Sequence, residues 1–276
     1  GERVFRISHK PIDSEPPRAS FRVSHTQTLN GPYAYQLNEP NALVLDRPDY
    51  QLGTSDWQPA EDILMIDAQL RDSLDIPRRG GTMVQPWLSK EHPNTNRASL
   101  KLRYHFEIET IPEAIELALE QPQHFQLTIN GQPLESNPLP DYWVDPAIRR
   151  IQVPANLLKV GSNQIELAVN FGEDVDLEAI YLLGDFGVYY HDPITPTLDT
   201  LPDRIEAADL CEQGLPHYTG DITYSLALPN SSSPRKLELG DFGGAALAVK
   251  TDGSSETICF PPYKANIPAG VDQAEA

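Results

Sequence analysis

The densest group of ionisable side chains is an acidic run at 173–178, in which Asp174, Asp176 and Glu178 alternate with apolar residues. Carboxylates spaced this way along an extended segment offer oxygens to Ca²⁺, which takes about six to eight of them. Glycoside hydrolysis needs two carboxyl groups roughly 5 to 10 Å apart around a sugar, and no pattern in the sequence pairs this run with a cleft. We expect a solvated surface loop, and we retain Asp174, Asp176 and Glu178 as candidate ligands of a structural calcium ion.

Other patterns typical of catalysis or zinc binding are missing from the sequence. The histidines show neither i, i+4 nor His-x-His spacing, and there is no Gly-x-Ser-x-Gly motif. Cys211 and Cys259 lack a Cys-x-x-Cys partner, and a chain of this length does not need a disulfide. We therefore predict free, buried thiols, no catalytic residue and no cofactor other than the calcium ion.

Two aromatic groups are candidates for binding a sugar. Tyr142, Trp143 and Asp145 lie just before a predicted strand, and Gln85 and Trp87 lie in a loop containing glycine and proline. An aromatic ring stacks on a pyranose, while carboxylates and amides bond to its hydroxyl groups. The alternative is that both tryptophans plug the ends of a sandwich and bind nothing.

Composition and periodicity indicate an all-β fold. The 276 residues include 26 prolines, which are scattered along the chain as expected for short strands and tight turns. Residues 99–108 alternate strictly between apolar and polar, 115–120 repeat this in the other phase, and Asn-Gly at 130–131 signals a hairpin. The best helix candidate is 62–74, where apolar residues have helical spacing.

The chain is long enough for two domains. We predict a connector or tail of a preceding module at 1–40, a first β-sandwich at 41–196 and a second at 197–276. Strand and turn signals recur in the same order in both halves, which indicates two versions of one module. The second stops where the first continues into the strand at 161–169, so we expect it to be truncated and to lack its last strand.

Charge and hydropathy limit the partners. The formal net charge is −19, which disfavours nucleic acid and anionic lipid but permits a neutral glycan. No run approaches the roughly 18 to 20 apolar residues of a membrane span, and the first residues lack the apolar core of a signal peptide. We expect a soluble protein, with an extracytoplasmic location open if a signal lies outside this chain.

Several segments resemble the C-terminal accessory region of large bacterial glycoside hydrolases of the family 2 and α-L-rhamnosidase-like types. They are 141–149, 161–167 and 177–188, and in the second half 214–224 and 261–263 resemble the closing galactose-binding-like module. The resemblance implies tandem galactose-binding-domain-like jelly rolls with few short helices. It also implies a non-catalytic carbohydrate-binding region of an enzyme that acts on plant or microbial glycans and has its catalytic barrel elsewhere.

This chain departs from the family at 250–253, where Lys-Thr-Asp-Gly replaces the usual Val-Asn-Gly. The expected partners are a glycan or the rest of a larger hydrolase. Two alternatives remain open: a protein-interaction or domain-packing module without a glycan site, and a fragment that is itself a hydrolase.

Overall fold

The computed structural model describes residues 25–79, 95–192, 194–240 and 243–276. Contacts divide the chain into two compact units, Gly1–Asn30 and Gly31–Ala276. The described part of the first unit, 25–30, contains neither helix nor strand. The regular secondary structure of the second unit is mostly antiparallel β-sheet, so the prediction of an all-β sandwich fold is confirmed.

The described residues form one α-helix, α1 (Ile63–Ser73), and twenty strands. In chain order the strands are β1 (Tyr33–Leu37), β2 (Asn41–Leu45), β3 (Asp49–Leu52), β4 (Ala98–Ile108), β5 (Ile115–Glu120), β6 (Gln126–Ile129), β7 (Gln132–Leu134), β8 (Tyr142–Trp143), β9 (Asp145–Gln152), β10 (Gly161–Phe171), β11 (Ile180–Gly184), β12 (Gly187–Tyr190), β13 (Pro196–Asp199), β14 (Arg204–Ile205), β15 (Ile222–Ala227), β16 (Arg235–Glu238), β17 (Leu247–Thr251), β18 (Ser254–Ile258), β19 (Lys264–Ile267) and β20 (Gln273–Glu275).

The first sandwich packs a seven-stranded sheet against a five-stranded sheet. The larger sheet has the order β12-β13-β4-β10-β6-β7, with β3 also paired to β4, and the smaller has the order β2-β11-β5-β9-β8. One hydrophobic cluster joins both, with Phe106 and Ile165 from the larger sheet and Leu43 and Leu117 from the smaller. Alternate side chains of β4 enter this core because successive residues of a strand point to opposite faces.

Helix α1 begins and ends close to the predicted bounds of 62–74. The side chain of Asp62 caps it, with Oδ1 accepting hydrogen bonds from the backbone N–H of Leu64 at 2.9 Å and of Met65 at 3.2 Å. Ile66 and Leu70, four residues apart on one face, are buried in the core of the first sandwich. The helical spacing therefore identified the face that packs.

The Asn-Gly signal forms the predicted hairpin between β6 and β7. Asn130 and Gly131 have φ values of 51° and 78°, and Ile129 pairs with Gln132 across them. Two consecutive positive φ angles match the right-handed twist of the flanking strands, and Asn-Gly tolerates them best.

The second module contains a six-stranded sheet with the order β14-β1-β15-β20-β17-β18 and a two-stranded sheet formed by β16 and β19. Its small core includes Leu247, Val249 and Ile267. The pairings repeat those of the first sandwich, because β20 lies between β15 and β17 as β10 lies between β4 and β6. Likewise β16 pairs with β19 as β5 pairs with β9.

β20 occupies the place in the second module where the sequence pattern predicts that the last strand is missing. It has 3 residues, whereas β10 has 11, and Ala274 is its only apolar residue. Gln-Ala-Glu carries no alternation long enough to predict a strand. Its pairing with β15 and β17 makes it one.

One strand pairs across a domain bound predicted from the sequence, and another spans such a bound. β1 lies within the stretch 1–40 assigned to a connector, yet it pairs with β14 and β15 of the second module. β13 spans the bound at 196/197 and pairs with β12 and β4 of the first sandwich. Alternation indicates a strand but not its partner, so such long-range pairings were not predictable from it.

The cysteines are free, as expected, but they are exposed rather than buried. Cys211 opens the 3-10 turn Cys211–Gln213, and Cys259 follows directly after β18. Both lie outside the alternating strand positions that enter a core.

Candidate functional site

The outer face of the five-stranded sheet carries a compact aromatic and apolar group. In β5 the side chains of Leu117 and Leu119 enter the core, so Ala118 and Glu120 point to the other face of the sheet. We call this group the aromatic face; its buried floor and the partly buried side chains packed on it are Ala42, Ala118 and Leu183 with Trp143, Ile148 and Tyr181.

Trp143 and Tyr181 meet at the centre of the aromatic face. Their ring centroids are 4.8 Å apart and the planes are inclined by 59°, within the range of favourable aromatic pairs. Tyr181 lies opposite Ala118 in the β11–β5 ladder, and the small alanine side chain leaves room for the rings above β5.

A distortion of the edge strand positions the indole. The register shifts between Tyr142 and Trp143, and the next residue, Val144, has a φ of 50°, which is unusual for a β-branched residue. The bulge places Trp143 over the sheet, while Tyr142 stays exposed. The indole Nε1–H of Trp143 is buried without a hydrogen-bond partner among the described residues.

Carboxylates lie near the Tyr181 end of the aromatic face. Burial first, and then the charges of Glu178 and Asp176, raise the pKa of Glu120. Burial, followed by the charges of Glu178 and Glu120, raises the pKa of the Tyr181 hydroxyl. These couplings indicate that the carboxyl groups and the phenol share one acidic neighbourhood.

Two further charged groups border the aromatic face. Arg150 Nε lies 2.6 Å from Glu116 Oε2, so its charge is largely matched. Asp145 is exposed, and its Oδ1 accepts a hydrogen bond from the backbone N–H of Ala147 at 2.8 Å. Asp145 therefore has one carboxylate oxygen open to solvent beside Trp143.

Three of the five predicted sugar ligands lie together in the structure. Tyr142, Trp143 and Asp145 are brought together at β8 and the start of β9, and Trp143 lies against the sheet. Gln85 and Trp87 lie outside the described residues. Sequence reasoning missed Tyr181 and Glu120, although the alternation of β5 and β11 places both on the outer face.

The three candidate calcium ligands contact arginines. Asp174 lies 2.7 Å from Arg97 Nη2 and Glu178 lies 2.8 Å from Arg79 Nη1. Asp176 lies 3.2 Å from the guanidinium of the buried Arg71. Within the described ranges, no three His, Cys, Asp or Glu side chains are grouped to hold a metal ion.

Arg71 links the acidic run to helix α1 through hydrogen bonds. Its Nε donates to Asp67 Oδ2 at 2.8 Å, and its Nη2 donates to the carbonyl of Val175 at 2.8 Å. The i, i+4 spacing of Asp67 and Arg71 on α1 was a visible signal for this pair. Its extension to 173–178 was not visible, because that contact joins residues about a hundred positions apart.

Beside this run, Glu120, Asp176 and Glu178 line a small pocket. Its cavity volume is about 10 Å³, which corresponds to the space for roughly one water molecule. This cavity is smaller than a sugar ring.

No helix in the described parts of the chain is long and apolar enough to cross a membrane.

No protein-family model matches the chain, and no curated protein matches it. Among solved structures, the β-D-mannosidase from Dictyoglomus thermophilum is 12% identical with a TM-score of 0.33, covering 84% of this chain and 31% of that one. A GH2 β-galacturonidase from Eisenbergiella tayi bound to glycerol is 10% identical with a TM-score of 0.29, covering 88% and 36%.

The α-L-rhamnosidase from Aspergillus terreus is 8% identical with a TM-score of 0.20, covering 90% of this chain and 43% of that one. The chain thus spans less than half the length of each of these structures. They include the same two kinds of enzyme that the sequence motifs resemble, but at these TM-scores the likeness carries no argument about function.

Proposed function

We propose that this chain is a non-catalytic, carbohydrate-binding accessory region of a larger glycoside hydrolase, and that it holds a neutral sugar ring on the aromatic face. The observation that carries the proposal is the Trp143–Tyr181 pair, a half-exposed aromatic surface bordered by carboxylates. An aromatic ring stacks on the C–H face of a pyranose, and carboxylate oxygens accept from its hydroxyl groups.

The charge near the face supports a neutral rather than an acidic sugar. Glu120 and Glu178 act on the Tyr181 hydroxyl, and Asp145 borders Trp143. Two cations lie in this neighbourhood and each is already paired, Arg150 with Glu116 and Arg79 with Glu178. A uronic acid would bring a negative charge to a neighbourhood whose net charge is negative.

The sequence motifs provide separate support. The segments 141–149 and 177–188 carry the resemblance to glycoside hydrolase accessory regions. They contribute β8, most of β9 and β11, and of these β9 and β11 flank β5. Trp143 and Ile148 come from the first segment and Tyr181 from the second. Residues far apart in the chain, yet within the resembling segments, therefore form one surface.

Titration of the full chain with galactose, rhamnose and mannose by calorimetry tests the proposal. We expect millimolar binding of at least one neutral sugar and a loss of roughly tenfold or more in affinity for Trp143→Ala and Tyr181→Ala, which corresponds to about 1.4 kcal/mol. Galacturonate should bind more weakly than galactose.

Trp57→Ala is the matched control. Trp57 is also half-buried, but it stacks on Arg103 of β4, at 3.8 Å from the guanidinium carbon to the ring centroid, on the other sheet. Its removal should leave sugar affinity unchanged. Equal affinities for the wild type and Trp143→Ala would refute a sugar site on the aromatic face.

A domain-packing function is the second candidate. Tyr142 and Val144 flank Trp143 with 45% and 62% of their surface exposed, and exposed apolar groups at a sheet edge are typical of protein contacts. In that case no sugar would bind to the chain, whereas Val144→Asp would weaken association with the rest of the parent enzyme. Hydrolysis of aryl-glycosides tests the remaining alternative, and we expect none from the isolated chain.

A further inference from the structure

A concave surface lies at the edge of the first sandwich and shares no residue with the aromatic face. It is a cleft with a volume of about 260 Å³ between the segment 133–137, which follows the Asn-Gly turn, and the segment 151–157, which begins with the last two residues of β9. Its floor is apolar and is formed by the buried side chains of Leu134, Ile151 and Leu157.

The rim of the cleft is polar. Glu135, Asn137, Gln152 and Asn156 contribute exposed side chains. The Nε2 of Gln152 donates to the carbonyl of Ile115 at 3.0 Å, which leaves its Oε1 as an acceptor. Within the part of the chain that the structure describes, the side chains of Glu135, Asn137 and Asn156 bond to no other residue. Their hydrogen-bonding groups are therefore available to a ligand.

Both walls of the cleft are held in place. Asn130 Nδ2 in the hairpin turn donates to the carbonyl of Leu157 at 2.9 Å and to Asn163 Oδ1 at 2.8 Å. At the other end, the backbone N–H of Leu139 donates to the carbonyl of Arg150 at 2.8 Å. These bonds fix the spacing of the two segments, and a cleft that is formed before binding is typical of small-molecule sites.

We propose that this cleft binds one ring of a neutral saccharide. Its volume is just below the roughly 300 to 1,000 Å³ of sites for drug-sized ligands, which fits a ligand of about one ring. Carboxylate and amide oxygens accept from hydroxyl groups, the amide N–H groups donate to them, and the apolar floor contacts the C–H face.

The lining also selects against two other classes of ligand. Glu135 is the one charged side chain among the described residues of the lining, so an acidic sugar is repelled. A peptide strand added to β7 would lose a hydrogen bond at Pro133, which has no N–H, and β7 is 3 residues long. The site therefore favours a small, uncharged, hydroxyl-rich ligand.

Backbone amide shifts of the isotope-labelled full chain test this site directly. Mannose, galactose and rhamnose are titrated one at a time, with galacturonate as the anionic counterpart. We expect saturable shifts at 133–137 and 151–157 with at least one neutral sugar, and shifts with galacturonate at least tenfold weaker in apparent affinity. Absence of saturable shifts there with all three neutral sugars would overturn the proposal, as would equal affinity for galacturonate.

Two variants and a control separate the cleft from the aromatic face. Asn156→Trp fills the cleft from an exposed position and should abolish these shifts, as should Glu135→Gln combined with Asn137→Ala, whereas Gln132→Ala in the same hairpin should not. The cleft shifts should persist in Trp143→Ala. If the cleft shifts persist and no amide at 142–148 shifts, the cleft is supported as a sugar site and the aromatic face is refuted. If the cleft shifts are lost in Trp143→Ala, the aromatic face is supported and the cleft is refuted.

Discussion

Replacement of Asn41 by alanine should destabilise the protein more than the same replacement at any exposed asparagine. Asn41 is fully buried at the start of β2. Its Nδ2 donates to the carbonyls of Phe186 at 2.7 Å and Gly214 at 3.0 Å, and its Oδ1 accepts from the N–H of Ala42 at 2.9 Å. One amide thus joins β2, the turn between β11 and β12, and the segment that leads to β15.

The size of the effect follows from what each partner loses. The Gly214 carbonyl still accepts a hydrogen bond from the N–H of Val188 at 2.9 Å. Alanine therefore removes a partner mainly from two groups, the Phe186 carbonyl and the Ala42 N–H. Each buried, unpaired group costs about 1–3 kcal/mol, so we expect a loss of about 3 kcal/mol in the free energy of unfolding. Asn41→Asp should cost more, because a buried carboxylate cannot donate and faces two carbonyl oxygens.

Thermal unfolding followed by circular dichroism measures this loss. For a chain of this size, about 3 kcal/mol lowers Tm by roughly 6–12 °C. Asn170→Ala, in the exposed position near the end of β10, is the control and should change stability by less than about 0.5 kcal/mol. A Tm for Asn41→Ala that equals that of Asn170→Ala would refute the reasoning.

Two further stability predictions concern one buried ion pair and one partly buried histidine. Arg71→Met leaves the buried carboxylate of Asp67 without its main partner, which lowers the free energy of unfolding by about 3–5 kcal/mol. We expect a loss at the lower end of this range because Arg79 Nε stays 3.5 Å from Asp67. A urea midpoint equal to that of the wild type would contradict this. Burial lowers the pKa of His217, whose Nδ1 accepts from Val44 N–H at 3.3 Å. As pH falls, the imidazole of His217 therefore takes up a proton in the unfolded chain before it does so in the folded one. The contribution of neutral His217 to folding stability is complete above the unfolded pKa of about 6.5 and is lost as pH falls below it. His217→Phe should show a smaller drop in urea midpoint between pH 8 and pH 5 than the wild type, and an equal drop would exclude this role.

Local patterns predicted the elements whose residues interact with near neighbours or face a core in strict alternation. β4, β5, the Asn-Gly hairpin and α1 with its Asp62 cap all follow from spacing alone. They are predictable because burial of alternate or every third or fourth residue imposes its period on the sequence.

The remaining features depend on long-range pairing. β20 has one apolar residue and becomes a strand through β15 and β17, and β1 pairs with strands that lie nearly two hundred residues later. Trp143 was a candidate from its residue type, whereas Tyr181 was not, because only the order β11-β5-β9-β8 brings the two together. The arginines that contact Asp174, Asp176 and Glu178 were likewise hidden in distant segments.

The indole N–H signals of the labelled chain test the central claim most directly. The chain has 3 tryptophans. The variants Trp143→Phe and Trp57→Phe assign the indole signals of the two tryptophans that the structure describes. Titration with the neutral sugar that binds best should shift the Trp143 signal saturably and leave the Trp57 signal in place. A saturating sugar that leaves the Trp143 signal unmoved would contradict carbohydrate binding on the aromatic face.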